Sequence, residues 1–257
     1  MLLVVDIGNT NMEFGIFEGE KLAHTFRLST NKAVTSDELG LFVTQFFFLR
    51  GLDRHRVEDI VISSVVPQLN YTVINSIKKY FDKPPLLVGE NLPVEIDNRY
   101  GNPGEVGADR LVTAVAAYHK YGGPLIVVDF GTATTFDVVT SDGAYLGGAI
   151  FPGLKVSMDA LVQRAAKLPR VEIVPPEQAI GTSTVASMQS GIIYGYAGAV
   201  DNIVQKLEEQ LGQKARVVAT GGLAKTVSQA YHGFTAIDKT LILDGIKVLY
   251  DRRKAEA

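Results

Sequence analysis

Asp6-Ile7-Gly8-Asn9-Thr10-Asn11 and Asp129-Phe130-Gly131-Thr132-Ala133 carry residue types that phosphate chemistry uses, in the same order. In each, a four-residue apolar run (Leu2–Val5, Leu125–Val128) leads into an Asp, one apolar residue, a Gly, and then small hydroxyl or amide side chains. The offset from Asp6 to Asp129 equals that from Gly8 to Gly131. A carboxylate at a strand end can hold a cation or its waters. The glycine lets backbone N–H groups approach a phosphate closely. Two such loops could grip one nucleotide from both sides. Either loop alone reads as an ordinary turn, where Asp, Gly and Asn are common for backbone reasons. Two in matching positions favour a binding role. Neither is a Walker loop, because no Gly-Lys-Ser/Thr follows. Neither is a dinucleotide fingerprint, because Gly-x-Gly-x-x-Gly is absent and the pattern after Asn11 is that of a strand.

Gly107-Ala108-Asp109-Arg110 places a carboxylate beside a guanidinium at a predicted helix start. The helix dipole favours an Asp there without any function. The same pair can also orient a hydroxyl, accept its proton and stabilise a transferring phosphate. Thr132 offers a hydroxyl for phosphate oxygens, whereas Thr134 and Thr135 are equally well explained as β-branched strand residues. Gly147-Gly148-Ala149-Ile150-Phe151-Pro152-Gly153 suggests a backbone that something approaches closely, with a tight structural turn as its rival. Thr220-Gly221-Gly222 ends a predicted strand where an adenosine could pass the backbone. The four histidines, His24, His55, His119 and His232, are scattered without metal-ligand spacing.

The elements that must position these residues repeat. Residues 2–5 read as a buried strand, 12–18 and 21–28 as a meander around Gly19, and 36–49 as a helix opened by Ser36-Asp37-Glu38. A strand at 59–66 ends at Pro67. Leu69, Val73, Ile77 and Phe81 put an apolar stripe on a helix over 69–82, and 86–88 is a short strand. The loop-rich stretch 89–106 precedes an Ala-rich helix at 107–121. Gly122-Gly123-Pro124 marks a boundary, so domains are expected at 1–122 and 123–257. A strand at 125–129, a turn at 130–133, a strand at 134–140 and a hairpin turn at Ser141-Asp142-Gly143 then restate the opening plan. Helices follow at 157–167 and 183–211, the latter with a possible break near Gly195 or Gly198. A strand at 217–219, a short helix and a terminal helix at 241–252 close the chain. This is an α/β chain of two similar domains.

With 257 residues, 46% hydrophobic and 21% charged, the chain has material for a sizeable core. The net charge of −3 gives no reason to expect a nucleic acid partner. The absence of cysteine excludes disulfides, thiolate catalysis and cysteine zinc sites. The N-terminus lacks a signal-peptide pattern and no apolar run reaches the roughly 18–20 residues of a membrane span, so a cytoplasmic location is expected.

Taken together the segments resemble the acetate and sugar kinase/Hsp70/actin superfamily, and within it the type III pantothenate kinase family. The carrying residues are Asp6 to Asn11, Tyr100 with Gly107, Asp109 and Arg110, and Asp129 with Gly131 to Thr135. Gly147-Gly148 with Ile150, Pro152 and Gly153, and Gly181-Thr182-Ser183-Thr184, complete the set. The resemblance implies two RNase H-like (actin-like ATPase) domains with an ATP cleft between them. It also implies ATP-dependent phosphorylation of pantothenate to 4′-phosphopantothenate, the first step of coenzyme A biosynthesis. On this basis Asp6, Ile7, Gly8, Asn9, Thr10 and Asn11 form the first phosphate loop and Thr132 assists from the second. Asp129 is implied as ligand of a monovalent cation, K+ or NH4+, and Mg2+ accompanies ATP. Asp109 is implied as the base that takes the hydroxyl proton. Tyr100, Gly107, Ala108, Asp109 and Arg110 hold pantothenate, and Thr184 reaches the substrate of the neighbouring subunit of a homodimer. A sugar or carboxylate kinase of the same superfamily is one rival, although sugar kinases are usually longer, with inserts for which this chain has little room. A non-catalytic nucleotide-binding regulator is the other, against which the intact Asp6, Asp109 and Asp129 argue.

Overall fold

The computed structural model describes residues 1–256. Two compact units divide it. The first comprises Met1–Glu95, Gly104–Ala116 and the terminal segment from Ile242; the second comprises Ile96–Pro103 and Ala117–Leu241.

In the first unit, β1 (Leu2–Ile7), β2 (Asn11–Glu18) and β3 (Lys21–Ser29) form an antiparallel meander. β4 (Asp59–Ser64) pairs parallel with the free side of β1 and β5 (Leu86–Leu87) continues it, giving the order β3-β2-β1-β4-β5. The strand period of two sends Leu3, Val5 and Ile7 to one face. There they meet Leu39, Val43 and Phe47 of α1 (Ser36–Leu49) and Leu69, Val73, Ile77 and Phe81 of α2 (Pro67–Phe81). α1 starts where it does because Thr35 and Glu38 form a reciprocal capping box. Pro67 opens α2, where a missing N–H costs nothing, so the strand ends earlier than expected and the helix begins sooner. A cap contributes about 0.5–2 kcal/mol. Each buried Leu, Ile or Phe contributes about 1.5–3 kcal/mol, so packing onto the sheet dominates and caps set the ends.

The opposite face of this sheet is covered from the C-terminus. α7 (Leu241–Glu256) belongs to this unit. A methyl on Gly15 of β2 would lie 3.2 Å from Leu243 Cδ1, and one on Gly245 would lie 2.4 Å from the Val112 carbonyl of α3 (Ala108–Tyr121). The Tyr250 hydroxyl donates to Asp59 at 2.5 Å. The first compact unit is therefore not contiguous in sequence. The terminal helix completes the first sheet because its buried face, Leu243, Ile246, Leu249 and Tyr250, is apolar. Residues 96–103 go the other way for a backbone reason given below.

The second unit repeats the sheet. β6 (Leu125–Phe130), β7 (Ala133–Val139) and β8 (Tyr145–Pro152) form the meander, with β9 (Arg216–Thr220) and β10 (Ala236–Ile237) parallel beyond β6. The order is β10-β9-β6-β7-β8. Ile126, Val128 and Phe130 pack on Leu154 of α4 (Leu154–Arg164), on Val227 of the short α6 (Ala224–Val227), and on Ile193, Tyr196, Val200 and Val204 of α5 (Thr184–Leu211). α5 runs unbroken for 28 residues, so no interruption occurs at Gly195 or Gly198. Each helical glycine costs about 1 kcal/mol against Ala, less than the core stripe flanking it gains. The glycine-rich stretch 147–153 is mostly strand β8 rather than a turn.

Candidate active site

In the first unit, β1 ends at Ile7 and the chain turns through Gly8, Asn9 and Thr10 into β2. The Gly8 N–H donates to the Asn11 carbonyl at 3.0 Å, closing the loop on itself. Asn9 and Thr10 are exposed at its tip, while Asp6 is half-buried on β1 opposite Ser63 of β4. Val65 follows β4, and its N–H donates to the Ile7 carbonyl at 3.0 Å. A methyl on Gly107 would stand 3.8 Å from Val65 Cγ1. The start of α3 is thus brought beside the root of the Asp6 loop, although a hundred residues of sequence separate them.

At that helix start the backbone fixes the acid. A methyl on Gly107 would lie 2.4 Å from Asp109 Oδ1. Only a residue without Cβ leaves the carboxylate this position, which is a structural reason for Gly107. Asp109 Oδ1 accepts the Arg110 N–H at 2.8 Å, and Thr113 Oγ1 donates to the Asp109 carbonyl at 2.7 Å. Burial raises the Asp109 carboxyl above the ordinary Asp value, opposed by the Arg110 N–H and guanidinium. A carboxylate less stable as an anion, aimed by a helix terminus, is a stronger proton acceptor than a solvated one. Ala108 opens α3 next to it.

In the second unit, Asp129 occupies on β6 the place Asp6 occupies on β1, opposite Thr220 of β9. Gly221 has φ +88, and a methyl there would meet Asp129 Oδ1 at 2.5 Å. Gly221 is therefore the wall of the carboxylate's niche. The tip of this loop, Gly131 and Thr132, is exposed. Its N–H at Gly131 donates to the Ala133 carbonyl at 3.1 Å, and its carbonyl at Thr132 accepts the Gly153 N–H at 3.2 Å. A methyl on Gly153 would lie 2.2 Å from that carbonyl. Thr134 is buried and Thr135 donates to Asp137 at 3.1 Å, so among the Thr run Thr132 is the one presented at the surface.

Tyr100 is carried on residues 96–103, which dock on the edge of the second sheet. Tyr145 of β8 donates its N–H to Asp97 O at 2.9 Å and accepts Arg99 N–H at 2.9 Å. Arg99 pairs with Asp97 at 2.8 Å and Asp142 at 3.0 Å. The Tyr100 ring lies over Gly147, where a methyl would meet it at 2.8 Å, and near the Tyr145 ring at 6.5 Å. Buried Tyr145 donates to buried Asp137 at 2.7 Å. The close approach that the glycines of 147–153 imply is made by the protein itself: Tyr100 at Gly147, the Phe136 carbonyl at Gly148 and the Thr132 carbonyl at Gly153. The roles of Tyr145, Asp137 and Gly153 as supports were not evident from sequence; the glycine spacing was their one signal.

Thr184 is the first residue of α5, capped by Ser183, whose hydroxyl accepts the Ala186 N–H at 3.2 Å. It lines a cavity of about 880 Å³ with Thr182, Ser183, Ser187, Met188 and Leu161. Gly181 is required here, since a methyl would meet Ser187 N at 2.3 Å.

The type III pantothenate kinase family model matches residues 2–206. The type III pantothenate kinase of Geobacter sulfurreducens is 48% identical over 254 residues, covering 99% of this chain and 100% of its own length. That of Geotalea daltonii is also 48% identical, covering 99% of each. Among solved structures, component A of the (R)-2-hydroxyglutaryl-CoA dehydratase of Acidaminococcus fermentans superposes with a TM-score of 0.58 at 14% identity. The alignment covers 100% of this chain and 99% of that one, which shows a common fold, the actin-like ATPase and sugar kinase architecture of two similar α/β domains. The family match spans the Asp6 loop, the Asp109 helix start, the Asp129 loop and Thr184, and this chain belongs to the type III pantothenate kinase family.

Proposed function

We propose that this protein transfers the γ-phosphoryl group of ATP to the primary hydroxyl of pantothenate, giving 4′-phosphopantothenate, ADP and a proton, the first step of coenzyme A biosynthesis. The observation that carries this reading is the 48% identity to a type III pantothenate kinase over the full length of both chains. In this reading Asp109 accepts the hydroxyl proton. Arg110 offsets charge on the transferring group, and Tyr100, Gly107 and Ala108 are assigned to pantothenate. The N–H groups and side chains of Asp6 to Asn11, with Thr132, hold the ATP phosphates. Phosphoryl transfer asks for positioning and charge neutralisation rather than covalent chemistry, which suits loops whose backbones are tied down.

Asp129 is the residue assigned to a monovalent cation, K+ or NH4+. Its carboxylate beside the backbone of Gly221 and Gly131 offers the oxygen donors that a hard cation takes. Such a cation would add fixed positive charge near the phosphates, and Mg2+ would arrive with ATP. Thr184 is assigned to substrate contact in a cytoplasmic homodimer. An ADP-release assay with Mg-ATP and pantothenate, in KCl against NaCl, tests the reaction and the cation together. Pantothenate-dependent turnover that needs K+ in the native protein, and loses that dependence in Asp129→Asn, is the expected result. ATP binding without turnover in either salt would return the chain to the non-catalytic reading.

A further inference from the structure

Thr30 directly follows β3 and holds the Asp6 loop from its own side of the sheet. Its hydroxyl donates to the Gly8 carbonyl at 2.6 Å and its N–H donates to the Thr10 carbonyl at 2.9 Å. These two carbonyls belong to the Gly8–Asn9 and Thr10–Asn11 peptide planes. In a trans peptide the carbonyl and the next N–H point in opposite directions. Pinning the two carbonyls toward Thr30 therefore turns the Asn9 and Asn11 N–H groups away from it. A backbone that presents N–H groups to one side is the arrangement that binds anionic oxygens. With Gly8 N–H tied to Asn11 O at 3.0 Å, the loop is held at both ends of its turn.

We infer that Thr30 is a positioning residue for ATP: it sets the peptide planes of the first phosphate loop and acts on the nucleotide only through them. This rests on the assignment of residues 6–11 to the ATP phosphates. A hydroxyl contact of 2.6 Å leaves no room for a methyl in its place, so Thr30→Ala is a cleaner removal than Thr30→Val, and Thr30→Ser keeps the donor.

The experiment measures KM for ATP and for pantothenate, and separately the rise in Tm that Mg-ADP produces without pantothenate. Thr30→Ala should raise the KM for ATP about 2- to 10-fold, the worth of one net hydrogen bond. The pantothenate KM should stay within about twofold, the Mg-ADP shift in Tm should shrink, and Thr30→Ser should restore both. An unchanged ATP KM, an equal rise in both KM values, or a Ser variant that behaves like Ala overturns the inference. Asn9→Asp, which puts a negative charge on the exposed loop tip, separates the two levels. If Asn9→Asp weakens ATP and Thr30→Ala does not, the role of Thr30 falls alone. If neither changes ATP binding, the assignment of the loop to ATP falls and takes this inference with it.

Discussion

The two units have the same sheet and nearly the same element order, yet the helices that follow their last strands open differently. After β5 comes Gly107-Ala108-Asp109-Arg110 at α3, with the acid second in the helix and an arginine next to it; after β10 comes Leu241-Ile242-Leu243-Asp244 at α7, which opens on three apolar residues before its first acid. The strand-end Asp-x-Gly loops are doubled, but the Gly107-Ala108-Asp109-Arg110 helix start occurs once. A phosphate chain can be gripped from two loops, whereas one hydroxyl loses one proton. The loops themselves differ in their supports. Ile7 pairs with Met12, leaving four residues between them; Phe130 pairs with Thr134, leaving three. The longer loop has a side-chain tie, the Thr30 hydroxyl on Gly8 O, in addition to the backbone tie of Thr30 N–H on Thr10 O. The shorter is tied by a backbone N–H, that of Gly153 on Thr132 O. A hydroxyl clamp can be removed with little disturbance. A glycine clamp cannot be changed without moving the backbone it touches.

The sharpest way to break the asymmetry is Asp109→Asn. We expect kcat to fall by roughly 100-fold or more, the scale of lost general-base catalysis, with both KM values little changed. A variant within a few-fold of the native enzyme would remove Asp109 from that role. Stability should move the other way. The Asp109 carboxyl is raised on folding by burial, so the native state binds its proton more tightly than the unfolded chain. That contribution is present at low pH and is lost as pH rises through the raised value. Near neutrality the variant should therefore unfold at an equal or higher temperature than the native protein, and the gain should vanish in acid. A lower Tm at neutral pH and unchanged in acid would contradict the burial argument.

Gly153→Ala tests the backbone clamp. Its Cβ would sit 2.2 Å from the Thr132 carbonyl, so the second loop must shift. Overpacking costs about 1–3 kcal/mol; expressed in ATP affinity, that is on the order of tenfold in KM. Equal affinity for ATP in this variant would mean that Thr132 does not meet the nucleotide. Thr184→Trp should raise the pantothenate KM several-fold by filling part of the cavity at the start of α5, leaving the ATP KM in place; if both constants hold, the residue is not at the substrate. The smallest effect expected is that of Thr30→Ala on ATP alone, and it should be smaller than that of Gly153→Ala if the two supports differ as their chemistry says.

Much of the architecture is written in local patterns. Apolar runs of four before Asp6 and Asp129, the capping pair Thr35 and Glu38, and the i, i+4 stripe of α2 each fix an element within a few residues. Patterns of this kind depend on strand and helix periods and need no knowledge of partners. β10 was not legible, because two residues carry no period. The continuity of α5 through its glycines was not legible either, since the helix is kept by side chains of a sheet distant in sequence. The residues offered for chemistry were visible as types and spacing, but their supports were not. Nothing near Asp109 in sequence says that Gly107 is glycine because a carboxylate folds back over it, and nothing near Gly147 says that Tyr100 lies there.

The amino-acid order by itself determined the repeated strand, Asp, Gly design and the helix start that carries Asp109, because turns, caps and amphipathic periods are short-range. Tertiary structure alone decided that α7 completes the first sheet, that residues 96–103 dock on the edge of β8, and that Thr30 and Gly153 hold the two loops. Those outcomes depend on which apolar faces and which backbone donors remain unmet once the sheets have formed, and that is a property of the folded chain rather than of any one segment.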